Sequence, residues 1–132
     1  MKAIASVIYN RADGKINDFV NVCKKNGYSK KYKKIVYQFS CWGKMTNTEW
    51  SPKNFKVKIP KSVKGNAKNE TLWKVAKQIA ADMLTGNFTP ITNANMYYND
   101  KKANPDWGNQ LTSVKYIGSH KFGILKNHSP FI

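Results

Sequence analysis

Acidic residues are scarce in this sequence. Seven Asp and Glu stand against 23 Lys and Arg in 132 residues, a formal net charge of +16. That excess is more than solubility asks of a small domain and implies an anionic partner: nucleic acid, an anionic membrane surface or an acidic cell-wall polymer. Cysteine is nearly absent, and the spacing of Cys23 and Cys41 matches no zinc or redox motif, so both read as buried thiols. The two histidines, His120 and His128, have no carboxylate between them or nearby, so a metal-ligand cluster is not expected and neither is a cofactor. Nowhere do ~18 apolar residues run together, which excludes a membrane-spanning helix. The opening MKAIASVIYNRADG breaks its short apolar run at Asn10 and Arg11 and is followed by no small-residue cleavage site, so it does not read as a signal peptide. Repeats and low-complexity tracts are also lacking. What remains, 132 residues with 41% hydrophobic content, fits one compact domain over residues 1–132 that can bury a core without staples.

Periodicity organises the chain. Ala3, Ile4, Val7, Ile8 and Ala12 fall at helical spacing with Gly14 as punctuation, and Ile16, Phe19, Val20 and Cys23 predict a second helix closing at an Asn26-Gly27 cap. SKKYKKIVYQFSCW passes from a lysine cluster into a β-branched and aromatic run that suits a strand or an ordered loop. Residues 43–68 read as a long Lys-rich loop containing Pro52 and Pro60, with an extended piece at FKVKI. ETLWKVAKQIAADML is the clearest helix. Asn69 is its expected N-cap, Glu70 complements the positive terminus, Leu72, Ala76, Ile79, Ala80 and Met83 form the expected buried stripe, and Gly86 ends it. The last 46 residues, with many Asn and Gly and short apolar runs, predict strands and turns.

A serine or cysteine nucleophile needs a base, and no Gly-x-Ser-x-Gly elbow is present. Glycoside cleavage needs a carboxylic acid beside the scissile oxygen, aromatic walls, and amide or hydroxyl donors for the sugars. Walls and donors are plentiful: Gln38, Ser40, Trp42, Asn95, Tyr97, Tyr98, Asn99, Trp107 and His120. Acids are scarce.

Five segments in register, AIASVIYNRA, VYQFSCW, WKVAKQIAADMLTG, MYYNDKKANPDW and YIGSHKFG, make the chain resemble the SleB-like cell-wall hydrolases, the family of spore-cortex-lytic enzymes and phage endolysins that cut the glycan strand of peptidoglycan. The resemblance implies an α+β fold, a compact, mainly helical lysozyme-like domain with a small β region in its C-terminal part. It implies peptidoglycan as the partner, anionic wall polymers as a further one, and action at the bacterial cell wall, with phage encoding as one origin. It places Gln38, Phe39, Ser40 and Trp42 on one wall of a substrate groove, and Tyr97, Tyr98, Asn99, Trp107 and His120 on the other.

Two departures stand out against that pattern. Met96 stands where the family's His-Tyr-His or His-Tyr-Tyr segment usually begins with histidine. The catalytic glutamate of the family lies upstream of AIASVIYNR, and this sequence starts within that helix, so the expectation is a domain lacking the family's N-terminal segment. The catalytic acid is then missing from the chain or supplied by a second polypeptide, and Glu49, Glu70 and Asp82 are weak replacements. The alternative is a non-catalytic, strongly basic module binding peptidoglycan or nucleic acid. Strand alternation puts Tyr97 and Tyr98 on opposite faces, one ring buried and one, expected to be Tyr98, exposed as a platform.

Overall fold

The computed structural model of the chain describes residues 1–30, 33–37, 39 and 63–126. Helix α1 (Lys2–Arg11) and helix α2 (Phe19–Lys24) are joined through a 3-10 turn at Ile16–Asp18. A hairpin follows, with strand β1 (Asn26–Ser29) antiparallel to β2 (Lys34–Tyr37). Helix α3 (Ala67–Leu84) precedes a three-stranded antiparallel sheet of β3 (Met96–Tyr98), β4 (Thr112–Ile117) and β5 (His120–Ile124), in the order β3-β5-β4. The α+β class is the one expected, with the small sheet in the C-terminal part. The extended piece expected at FKVKI lies outside the described residues.

Helix α1 is the spine, because its small and β-branched stripe is buried on two sides. Ala5 and Ala12 pack with Phe19, Ile79 and Met83, which joins α1 to α2 and α3. Ala3 and Val7 pack with Ala94 and Phe122, which joins α1 to the sheet. Polar groups on the same helix fix its depth. Ser6, fully buried, donates to the Lys2 carbonyl at 2.7 Å and accepts from the Ile91 N–H at 2.9 Å. One turn on, the Asn10 amide donates to the carbonyls of Thr92 and Ala94, both at 2.8 Å. Spacing of i and i+4 puts both side chains on one face, so residues 91–94 are stapled along α1 before the chain enters β3.

Three local expectations change. Asn26-Gly27 opens β1 and does not cap α2, since Lys25 already leaves the helical region at φ −53°, ψ 129°. The α3 cap is Asn66, whose side-chain oxygen accepts the Asn69 N–H at 3.0 Å, so the helix begins about a turn earlier than Asn69. Of the expected stripe only Ile79 and Met83 are buried, while Leu72 is 45% exposed. The C-terminal half of α3 reaches α1, whereas Leu72 and Ala76 border an open concavity with Met1 and Val63. Gly86, at φ +79°, ends the helix as expected. Losing the Asn66 cap by Asn66→Ala should cost about 1 kcal/mol, read as a lower denaturant midpoint at unchanged slope.

Candidate functional site

Strand β3 sends its adjacent tyrosines to opposite faces of the sheet, as the two-residue repeat requires. Tyr97 lies opposite Phe122 on β5 and stacks on it, with ring centroids 5.5 Å apart and planes at 19°. Residues two apart on a strand share a face, so His120 joins them, its ring meeting Tyr97 edge-on at 5.5 Å. A tight Gly118-Ser119 turn, with Gly118 at φ +60°, pairs Ile117 with His120 and holds the imidazole at the sheet's end. Phe39, the middle residue of the Gln-Phe-Ser stretch, closes on Tyr97 at 6.1 Å. Phe39 is buried, and Tyr97 and His120 are half-buried.

Tyr98 has different neighbours. Its ring meets Trp107 edge-on at 5.4 Å, and Lys121, its partner across β5, carries its ammonium 5.8 Å from the Tyr98 centroid. A Cβ built on Gly108 would sit 2.9 Å from the Tyr98 hydroxyl, and one on Gly123 would sit 2.9 Å from Leu111. Residues 105–111 therefore fold over the far side of the sheet, a close approach that glycine alone permits. The sheet thus separates Tyr97 and His120 from Tyr98 and Trp107, which were expected on one wall. Both tyrosines are half-buried, so the expected division into one buried and one exposed ring becomes two partly covered rings on opposite faces. Gln38, Ser40 and Trp42 lie outside the described residues, as do Glu49 and His128.

Several amides read as sugar donors have structural partners. Asn95 accepts the Leu125 N–H at 2.8 Å and donates to its carbonyl at 3.0 Å, extending the β3-β5 ladder. Asn99 accepts the Lys101 N–H at 3.1 Å through its side chain and the Lys102 N–H through its carbonyl, which turns the chain after β3. The two candidate acids within the described residues are also engaged. Glu70 accepts the Gly65 N–H at 3.1 Å and Asp82 accepts from the Gln78 amide at 2.9 Å.

Arg11, which breaks the opening apolar run in the sequence, is buried, and that was not anticipated. Only 8% of it is exposed, and its Nη1 lies 3.8 Å from the sulfur of Met96, itself 1% exposed. Burial pulls the guanidinium well below the usual arginine range, to about 10, against an opposing attraction to Tyr97. A cation whose native pKa is depressed binds its proton less well folded than unfolded. Stability therefore rises as the pH climbs through about 10 toward the usual arginine range, and at neutral pH the charged form carries a desolvation cost. The Met96 thioether, a weak acceptor without charge, suits that neighbour better than a second basic ring would. Arg11→Met removes the charge and its desolvation cost, and is expected to melt at or above the wild-type temperature; a melt several degrees lower would contradict this.

Four of the five segments singled out in the sequence thus meet at one place: Ala3 and Val7 of α1, Phe39, Tyr97, and the β-hairpin residues Ile117, His120 and Phe122. The fifth, α3, braces α1 from behind through Ile79 and Met83. No helix among the described residues is long and apolar enough to cross a membrane, and no group of three or more His, Cys, Asp or Glu among them could hold a metal ion. No curated relative and no solved structure matches the chain. A family model described as Cell Wall Hydrolase matches residues 1–123. With that match spanning nearly its whole length, the chain belongs to the cell wall hydrolase family, the SleB-like group to which its motifs had pointed.

Proposed function

We propose that the chain acts on the glycan strand of peptidoglycan, as a lysozyme-like or lytic-transglycosylase-like hydrolase, and that the Tyr97 and His120 surface, backed by the buried Phe39, is where the sugars lie. The observation that supports it is the convergence of Phe39, Tyr97 and His120, from three distant family segments, into one ring cluster. Aromatic faces pack against sugar C–H groups, and an imidazole at the rim reads hydroxyls as donor or acceptor. Gln38, Ser40 and Trp42, flanking Phe39 in sequence, complete the proposed wall; Trp107, Tyr98 and Asn99 serve the opposite face and take a smaller part. The catalytic acid is proposed to be supplied to this chain by a second polypeptide.

The product of cleavage tests the reading. Digestion of purified peptidoglycan with a small carboxylic acid such as formate supplied should create new sugar ends, either reducing ends from hydrolysis or anhydro-sugar ends from transglycosylation. Release of new amino groups without new sugar ends would mean the peptide bridges are cut and would overturn it. The +16 charge favours a second reading, a basic module that holds anionic polymers without cutting them. Sequence-independent binding to DNA that matches binding to peptidoglycan would support that one.

A further inference from the structure

No residue in the first half of α3 is buried, yet that half carries an apolar face. Asn69, Leu72, Trp73 and Ala76 recur at spacings of three and four and so lie on one side of the helix. With Met1 and Val63 they line the open concavity at the start of α1, whose volume is about 330 Å³. Met1 and Leu72 are exposed there. Trp73 adds an independent sign. Its indole N–H is buried and meets no acceptor among the described residues, a state that costs free energy until an acceptor is provided. A large apolar ring with one unmet donor, set beside an apolar hollow, suits a contact with another protein.

Charge narrows what that protein is. Lys68 stands one turn before Leu72 and Lys77 one turn after Trp73, Lys2 adjoins Met1, and Lys64 adjoins Val63; all four are exposed. No acidic side chain lines the hollow among the described residues, and Glu70 nearby is engaged by the Gly65 N–H. An apolar floor with a cationic rim complements a polypeptide that carries an apolar anchor flanked by carboxylates. A second copy of this chain, at +16, would be repelled instead. Position matters as well. Ala3, two residues on from Met1, packs on Phe122 in the cluster that Tyr97 borders. The hollow therefore opens within about one turn of α1, roughly 5 Å along its axis, from the ring cluster.

We propose that this hollow is the docking site of a second polypeptide, an acidic chain that seats an apolar anchor on Leu72 and Ala76, offers an acceptor to the Trp73 indole and sets carboxylates against Lys68 and Lys77. The inference rests on the reading in which a second polypeptide supplies the catalytic acid, and places that polypeptide beside the ring cluster.

A synthetic amphipathic helical peptide with a leucine face and a glutamate face is the probe, and the same peptide with lysine in place of glutamate is the control. Titrated into the isotope-labelled 132-residue chain, the glutamate peptide should shift the Trp73 indole N–H resonance and slow its exchange with solvent, while the lysine peptide should leave it in place. Leu72→Glu, at an exposed position, should weaken binding of the glutamate peptide roughly 10–100-fold. Leu72→Gln gives an uncharged version of the same loss, and circular dichroism melts show that both variants keep the fold. Both should yield formate-dependent sugar ends from peptidoglycan as the wild type does. An unmoved Trp73 resonance at millimolar glutamate peptide, equal binding of the two peptides, or equal affinity in wild type and variants overturns the docking site, and formate-dependent sugar ends would then leave the glycan reading standing. A wild type that sediments as a dimer and dissociates on Leu72→Glu makes the occupant a second copy and also overturns it. Peptide binding as expected, with no sugar ends even when formate is supplied, supports the docking site and overturns the glycan reading.

Discussion

Phe122→Ala should be the most damaging single substitution in the described part of the molecule, costing roughly 3–5 kcal/mol and lowering the melting temperature by roughly 10–20 °C. Phe122 is 2% exposed, it is stacked on Tyr97, and it packs with Ala3 and Val7. Truncation would leave a cavity between α1 and the sheet that neither side can close, since α1 is held at its depth by Ser6 and Asn10. Loss of stability should come with loss of the site, because the same ring sets the position of Tyr97 and His120. A Phe122→Ala protein that melts within a few degrees of the wild type would show that the α1-sheet contact is not the main support of this region.

The second large effect concerns chemistry. On the proposed reading the 132-residue chain alone should turn over peptidoglycan about 10²–10⁴-fold more slowly than it does once a positioned acid is supplied. Within the described residues Glu70 accepts the Gly65 N–H, Asp82 takes the Gln78 amide, and Asp100 accepts the Tyr116 hydroxyl at 2.6 Å. Each has a local partner, and Glu70 and Asp82 lie remote in sequence from Phe39, Tyr97 and His120. Release of soluble fragments should stay near background and rise when a small carboxylic acid such as formate is added. Rapid release by the chain alone, abolished in one of Glu49→Gln, Glu70→Gln or Asp82→Asn, would contradict this and identify the acid.

How much of this was legible follows from the range of each interaction. Helices α1 and α3 and the Gly86 stop are written in local periodicity, and they stand where the spacing put them, within a turn. The Asn66 cap was missed because Asn66 and Asn69 offer the same chemistry three residues apart, and only the path of the preceding chain decides between them. Alternation in MYY separated Tyr97 from Tyr98, but which face meets α1 depends on Phe122, 25 positions on. The long-range contacts of Ser6 and Arg11 were not legible, since Ile91 and Met96 each lie 85 residues away. Ser6 could have been flagged as a small hydroxyl within an apolar helical stripe, which needs a partner when buried. Asn95 and Asn99 were legible as polar groups in a turn-rich stretch, yet nothing in the sequence distinguished an amide that binds backbone from one that could bind sugar.

Binding to insoluble peptidoglycan in about 0.5 M salt, where attraction between exposed charges is largely screened, is the most direct measurement of the glycan-binding surface. The wild type should sediment with the wall material, Tyr98→Ala on the far face should do nearly as well, and His120→Ala, still folded by circular dichroism, should be left in solution. If wild-type binding disappears at that salt while low-salt binding to DNA equals that to peptidoglycan, or if His120→Ala binds like the wild type and Tyr98→Ala does not, the sugars do not lie on the Tyr97 and His120 face.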